Sequence, residues 1–241
     1  MSILLLTATA MEGDRLVSSF DEPVQQSVYG RRWVSGRLHD TLIRLIEGGL
    51  GAVNTAHSLT MALEMSTPDV VLQVGVGGAY DGSQLRIGDL ALARHDSHAD
   101  LGVLTPDGWE TAEAIGIPVV QIDGVAHYNT YPCDTERTSK AHQFLSQRYT
   151  VGLGPFATVQ EVSGTSDLGA QRRGRIPDAI CESMEGAAAA QLCALYGVDF
   201  VQLRAISNVV ENRDRSRWNL PLACERSQEA AALILQEWTS V

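Results

Sequence analysis

The sequence predicts an α/β fold, a single domain built on a mostly parallel sheet, and three observations predict it. Short, largely apolar runs at residues 3–6, 69–74 and 200–206 have the length of strands buried on both faces. Longer segments with helical spacing, at 53–65, 186–196 and 222–238, lie between and after them. Acidic or amide residues then follow the strand ends: Glu12 and Asp14 after the first run, Asn208 after the last. An α/β sheet offers ligand-binding groups at this rim, outside the carboxyl ends of its strands.

The 241 residues, with no repeat, low-complexity stretch or linker, suit one large domain, and 44% hydrophobic content is ample for its core. A net charge of −11 repels phosphate backbones and weighs against nucleic-acid partners and anionic membrane surfaces. Cys133, Cys181, Cys193 and Cys224 form no C-x-x-C pair, which argues against zinc or redox motifs and for free thiols in an intracellular chain. The first apolar run is too short for a signal peptide or membrane span. The expectation is a soluble cytoplasmic protein without a metal or cofactor.

Taken in order, the first strand ends at Thr7, and residues 12–15 can open a helix. Glu12 and Asp14 there fit either capping of the helix dipole or a carboxylate at the mouth of the strand. Strands are expected at 32–36 and 41–47, and residues 48–51, with Leu50, form a turn that lets backbone approach a ligand. Helix 53–65 ends before Pro68. The strand at 69–74 runs into Gly75, Val76, Gly77, Gly78 and Ala79, a tight turn whose amides could line a pocket. Tyr80 stands where the third glycine of G-x-G-x-x-G would be, and no Lys-Ser/Thr follows, so dinucleotide and P-loop motifs fail.

A strand at 90–93 precedes His95, Asp96, His98 and Asp100, read as a polar loop rather than a metal cluster, since no further His or Cys motif supports one. Residues 117–122 suit a strand. Residues 124–135, with Tyr128, Tyr131 and Pro132, suit an irregular lid or subunit contact. A helix at 138–148 and a strand at 156–162 follow. Arg172, Arg173 and Arg175 suit a solvated helix end. The stretch 181–218 concentrates the chemistry: Glu182 and Glu185 precede a small-residue helix stopped by Gly197, and the next strand ends in Ser207 and Asn208.

In order and spacing these pieces resemble the purine nucleoside phosphorylase/nucleosidase superfamily along nearly the whole chain. They are the acidic first-strand end, the glycine-rich 74–79 followed by Ile87-Gly88-Asp89, the Met184-Glu185 pair and Arg204 to Asn208. Within it the chain is similar to the futalosine hydrolases, through Ala99-Asp100-Leu101-Gly102, Thr105-Pro106-Asp107-Gly108, Glu182-Ser183-Met184-Glu185-Gly186 and Arg213 to Trp218. The resemblance implies a three-layer αβα fold around a central mixed, mostly parallel twisted sheet. It implies hydrolysis of the N-glycosidic bond of futalosine, with a homodimer or larger homo-oligomer.

It also implies roles. Met184 and Glu185 would hold the ribose, Ser207 and Asn208 the purine, and Arg204 with the N-terminal acid the attacking water. Val76, Gly77, Gly78, Leu50, Val162 and Ser163 would complete the pocket. The family's base falls at Asp14, with Glu12 in reserve. Adenine-specific relatives carry Asp where this chain has Asn208; an amide donates where an ionised carboxylate only accepts, which favours a 6-oxopurine. The alternatives are a purine nucleoside phosphorylase, a methylthioadenosine/S-adenosylhomocysteine nucleosidase and a nucleoside-binding protein without catalysis. Arg213, Arg215 and Arg217 are the candidate cations for the carboxylate of futalosine.

Overall fold

The computed structural model describes residues 1–240 and begins with β1 (Ser2–Thr7), whose side chains divide between two cores. Ile3 and Leu5 point to one face and Leu4 and Leu6 to the other, all within 1% of full burial. A strand covered on both sides needs no polar alternation, which is why the run is unbroken.

A 3-10 turn (Ala10–Glu12) and the short α1 (Asp14–Val17) lead to β2 (Asp21–Val28), β3 (Arg31–Leu38) and β4 (Thr41–Glu47). Then come α2 (Ala52–Met65), β5 (Val70–Ala79) and β6 (Leu90–His98). The middle of the chain holds short strands: β7 (Gly102–Thr105), β8 (Gly108–Thr111), β9 (Val120–Ile122), β10 (Val125–His127) and β11 (Thr130–Pro132). It closes with α3 (Thr135–Leu145), β12 (Val151–Thr158), α4 (Ser166–Arg175), β13 (Cys181–Ser183), α5 (Gly186–Tyr196), β14 (Asp199–Val209) and α6 (Leu220–Thr239).

The main sheet is mixed. β1 runs parallel between β4 and β5, and β14 runs parallel on the other side of β5. β14 is antiparallel to β6, β6 parallel to β12, β12 parallel to β13, and β13 antiparallel to the end of β5. These five strands therefore close on themselves, while β4, β3 and β2 extend as an arm. One core lies between the sheet and α3 and α6, with Leu145, Ala230, Ala231 and Ile234. The other lies under α2 and α5, with Leu59, Ala62, Leu63, Ala189, Ala190 and Cys193. The result is a three-layer αβα arrangement. α5 ends on Gly197 at φ 64°, ψ 36°, a left-handed stop that glycine adopts without side-chain strain.

Several expectations are corrected. The glycines at 75–78 are not a turn: β5 continues through them to Ala79. A β-carbon on Gly75 would stand 2.6 Å from Glu12 Oε1 and 2.7 Å from an Arg204 guanidinium nitrogen, so the strand is bare there because side chains press on it. Residues 95–98 are not a loop but the end of β6. β12 starts five residues before the expected 156 and stops at Thr158. Residues 124–135 are not an irregular lid; Tyr131 is wholly buried, and β11 pairs with β6. Arg172 is not solvated: at 4% exposure it donates to Glu161 O and, at 3.1 Å, to Ser163 Oγ. β2 was not predicted at all. No described helix is long and apolar enough to cross a membrane.

Candidate active site

The parallel strands β1, β5 and β14 end at one cavity of about 320 Å³. The segment after β1 supplies Ala8, Thr9, Met11 and Glu12, β5 supplies Val76, Gly77 and Gly78, and β14 supplies Arg204, Ser207 and Asn208. Met184 and Glu185, between β13 and α5, form a further wall, with Leu50, Val162 and Ser163 at the edges. A larger concavity of about 670 Å³ lies between α3 and α6, but its charged residues are surface groups such as Glu136 and Lys140. Buried ionisable groups converge only in the smaller one, which marks it as the candidate site.

Glu12 is 5% exposed and densely held. Its Oε2 accepts from Ala8 N at 3.1 Å, Thr9 N at 2.9 Å and Thr9 Oγ1 at 3.1 Å, and its Oε1 from Val76 N at 3.1 Å. The helix-start reading and the functional reading therefore both describe this residue. Burial pushes its carboxyl above the ordinary glutamate value; nearby Arg204 opposes the shift, the charge of Glu185 adds to it, and the backbone donors oppose it.

Arg204 is 2% exposed, donates to Glu185 Oε2 at 3.2 Å and to Val76 O at 3.3 Å, and so stands between two carboxylates. Glu185 is 4% exposed and takes a second donor, Gly51 N, at 3.0 Å. The turn before α2 thus approaches a site side chain with its backbone. At Asn208, the carboxamide oxygen accepts from Ser207 Oγ at 2.8 Å and the amide nitrogen donates to Val209 O at 3.1 Å. One amide hydrogen is left over.

Asp14 is the exception among the expected site residues. Two residues after Glu12, in α1, its side chain is 59% exposed and pairs with Arg32 at 2.5 Å, outside the cavity. Other residues of the cavity were not among the expected site residues. Glu182 lines the cavity and accepts from Tyr80 Oη at 2.9 Å, Ser163 N at 2.8 Å and Ser163 Oγ at 2.5 Å, which pins the Val162–Ser163 edge. Leu220 and Cys224 of α6 complete the wall. Of the candidate cations only Arg213 reaches the cavity, its guanidinium carbon 4.7 Å from the ring centre of Trp218, which also lines it. Arg217 is turned to Glu211 at 2.8 Å. Tyr128, Tyr131 and Pro132 do not line it.

His95, Asp96, His98 and Asp100 do not converge. His98 meets Gln191, Asp100 accepts from Gln160 N, and Asp96 bonds Thr158. Among the described residues no group of three or more His, Cys, Asp or Glu is placed to hold a metal ion, and all four cysteines are buried and unbonded.

Comparison with known proteins places this geometry in context. A futalosine hydrolase of Acidothermus cellulolyticus is 31% identical over 241 residues, covering 98% of this chain and 91% of the relative. A 5'-methylthioadenosine/S-adenosylhomocysteine nucleosidase of Chromohalobacter salexigens is 28% identical, covering 86% and 84%. The crystal structure of the Neisseria meningitidis nucleosidase of that name, in complex with methylthio-immucillin-A, superposes with a TM-score of 0.85 at 21% identity, covering 98% and 99%. The Phosphorylase superfamily profile matches residues 2–238, and the chain belongs to that superfamily.

Proposed function

We propose that this chain is a cytoplasmic nucleosidase that hydrolyses the N-glycosidic bond of futalosine, releasing hypoxanthine and dehypoxanthine futalosine in menaquinone biosynthesis. The observation that carries the reading is the buried set Glu12, Arg204 and Glu185 in one cavity with Asn208. Cleavage develops positive charge on the ribosyl group and negative charge on the leaving base. Glu185 accepts hydrogen bonds from the sugar hydroxyls, beside Met184. Glu12 takes a proton from water as its oxygen bonds to the anomeric carbon, and Arg204 holds the arrangement of the two carboxylates. The pair of bonding electrons leaves with the purine, whose N7 and C6-oxygen edge meets the spare hydrogen of Asn208.

Water rather than phosphate suits the charges. Among the described residues, the cations lining the cavity are Arg204, already committed to Glu185, and the exposed Arg213. A phosphate beside the anomeric carbon would instead face Glu12 and Glu185. Arg213 stacked on Trp218 suits the aryl carboxylate that futalosine carries beyond its ribose. Association into a homodimer or larger assembly suits Leu50 and Val53, which stand 62% and 80% exposed beside the site. The Chromohalobacter relative supports a second reading, cleavage of methylthioadenosine, which Asn208 disfavours.

The test is incubation with futalosine, inosine and methylthioadenosine, with and without phosphate, followed by chromatography of free base. Hypoxanthine from futalosine at a phosphate-independent rate is expected. Equal turnover of methylthioadenosine, or a requirement for phosphate, overturns the reading.

A further inference from the structure

The helix behind Glu185 is capped in an unusual way. Glu185 occupies the N-cap position of α5, where a side chain ordinarily accepts an N–H of the first turn, yet its side chain makes no such bond. In α3, α4 and α6 the N-cap residue does this itself, through Asp134, Thr165 and Asn219, while α1 and α2 begin on Gly13 and Gly51, which have no side chain to offer. The Glu185 carboxylate turns the other way, to Gly51 N and Arg204.

The missing acceptor comes from another strand. Thr158, the last residue of β12 and wholly buried, accepts from Ala187 N at 2.8 Å. A hydroxyl has one proton, and that of Thr158 goes to Asp96 Oδ1, 2.9 Å away in β6. Giving its proton to Asp96 leaves its lone pairs aimed at the helix. Asp96 is wholly buried, and burial pushes its carboxyl up to about 6, although the Thr158 bond opposes this. Its Oδ1 can accept in either protonation state. The other oxygen of Asp96 and the amide of Gln202 lie side by side, and the amide helps the Thr158 bond oppose the upward shift of the carboxyl. They press up beneath Gly186, where a β-carbon would lie 2.0 Å from Asp96 Oδ2 and 2.2 Å from Gln202 Nε2. The first turn of α5 is thus seated directly on this buried polar pair.

We propose that Thr158, aimed by Asp96, caps α5 in place of Glu185 and is thereby a positioning residue for that carboxylate. Without it, Ala187 N–H loses its acceptor, and the N-cap side chain, here that of Glu185, is the one a helix ordinarily supplies in that place. Turning Glu185 inward strips the acceptor from Gly51 N–H and withdraws the carboxylate from the cavity. The consequence for substrate binding rests on the nucleosidase reading above; the capping itself does not.

The experiment compares Thr158→Val, which keeps the shape and removes the hydroxyl, with Thr158→Ser, which restores it. Thr158→Ala serves if the valine variant does not fold. Amide hydrogen exchange is measured at Ala187 and Gly51, and kcat/KM for futalosine against its 2′-deoxy analogue. Loss of the hydroxyl should speed exchange at least tenfold at both amides, although Gly51 belongs to another element. It should also lower the ribo-to-deoxyribo preference about tenfold, mainly through KM, and serine should recover both. A folded variant with unchanged Gly51 exchange and unchanged preference overturns the proposal. If the wild-type protein cleaves neither nucleoside, the nucleosidase reading fails, and exchange at Gly51 alone decides the cap.

Discussion

At Glu12 four protein donors reach one carboxylate, while two residues later the exposed Asp14 meets a single arginine. Nothing in the sequence separates the two acids, because both stand where a helix start favours negative charge. The 3-10 turn at Ala10–Glu12 points the first inward and α1 points the second out, a difference of backbone direction that composition does not encode. Substitution should therefore split them. Glu12→Gln is expected to lower kcat roughly 10²- to 10⁴-fold, the usual loss for a general base. Asp14→Asn breaks a surface pair of about 0–1 kcal/mol and should leave turnover near wild type. As a base Glu12 must be ionised, and burial raises its pKa. The acidic limb of kcat/KM should then be lost, as pH falls, above the ordinary glutamate value of about 4.3. Steady-state kinetics across pH checks both; equal losses in the two variants, or a limb at the ordinary value, count against Glu12.

Elements whose signal is apolar were legible: β1, α2, α5 and α6 begin and end within a few residues of expectation. Others were hidden by function. The inner positions of β6 carry Asp96 and Ser97 rather than apolar side chains, so its end resembles a polar loop. The glycines of β5 resemble a turn, although Gly75 serves the approach of Glu12 and Arg204. β2 is exposed along nearly all its length and holds Pro23, as an edge strand can, so it shows no alternation. The same crowding decides what Gly186→Ala would do. Alanine favours a helix by up to about 1 kcal/mol over glycine. Overpacking against a buried carboxylate costs about 1–3 kcal/mol, and at 2.0 Å the clash wins. The urea midpoint of Gly186→Ala should fall; a rise would show that α5 shifts without cost.

Across the molecule, the site joins the two ends of the chain: residues 8–12 face residues 204–224, with β5 between them. The sequence placed most of these residues at one rim because parallel strands share a carboxyl end, and it marked the turn at 48–51 for a close backbone approach, but it held no signal for Thr158, which acts on a backbone group of a distant helix. The ring of β5, β14, β6, β12 and β13 gives this arrangement a consequence in time. A chain leaving the ribosome presents β5 and β6 long before β14, which pairs with both of them. Until β14 and α6 emerge, two strand edges and the apolar face that α6 covers are open to other chains. A chain ending at residue 198 should therefore pellet on centrifugation after expression while the full chain stays in the supernatant. The nascent protein is most exposed to aggregation just before β14 and α6 are made, and that interval is where a folding chaperone would act on it.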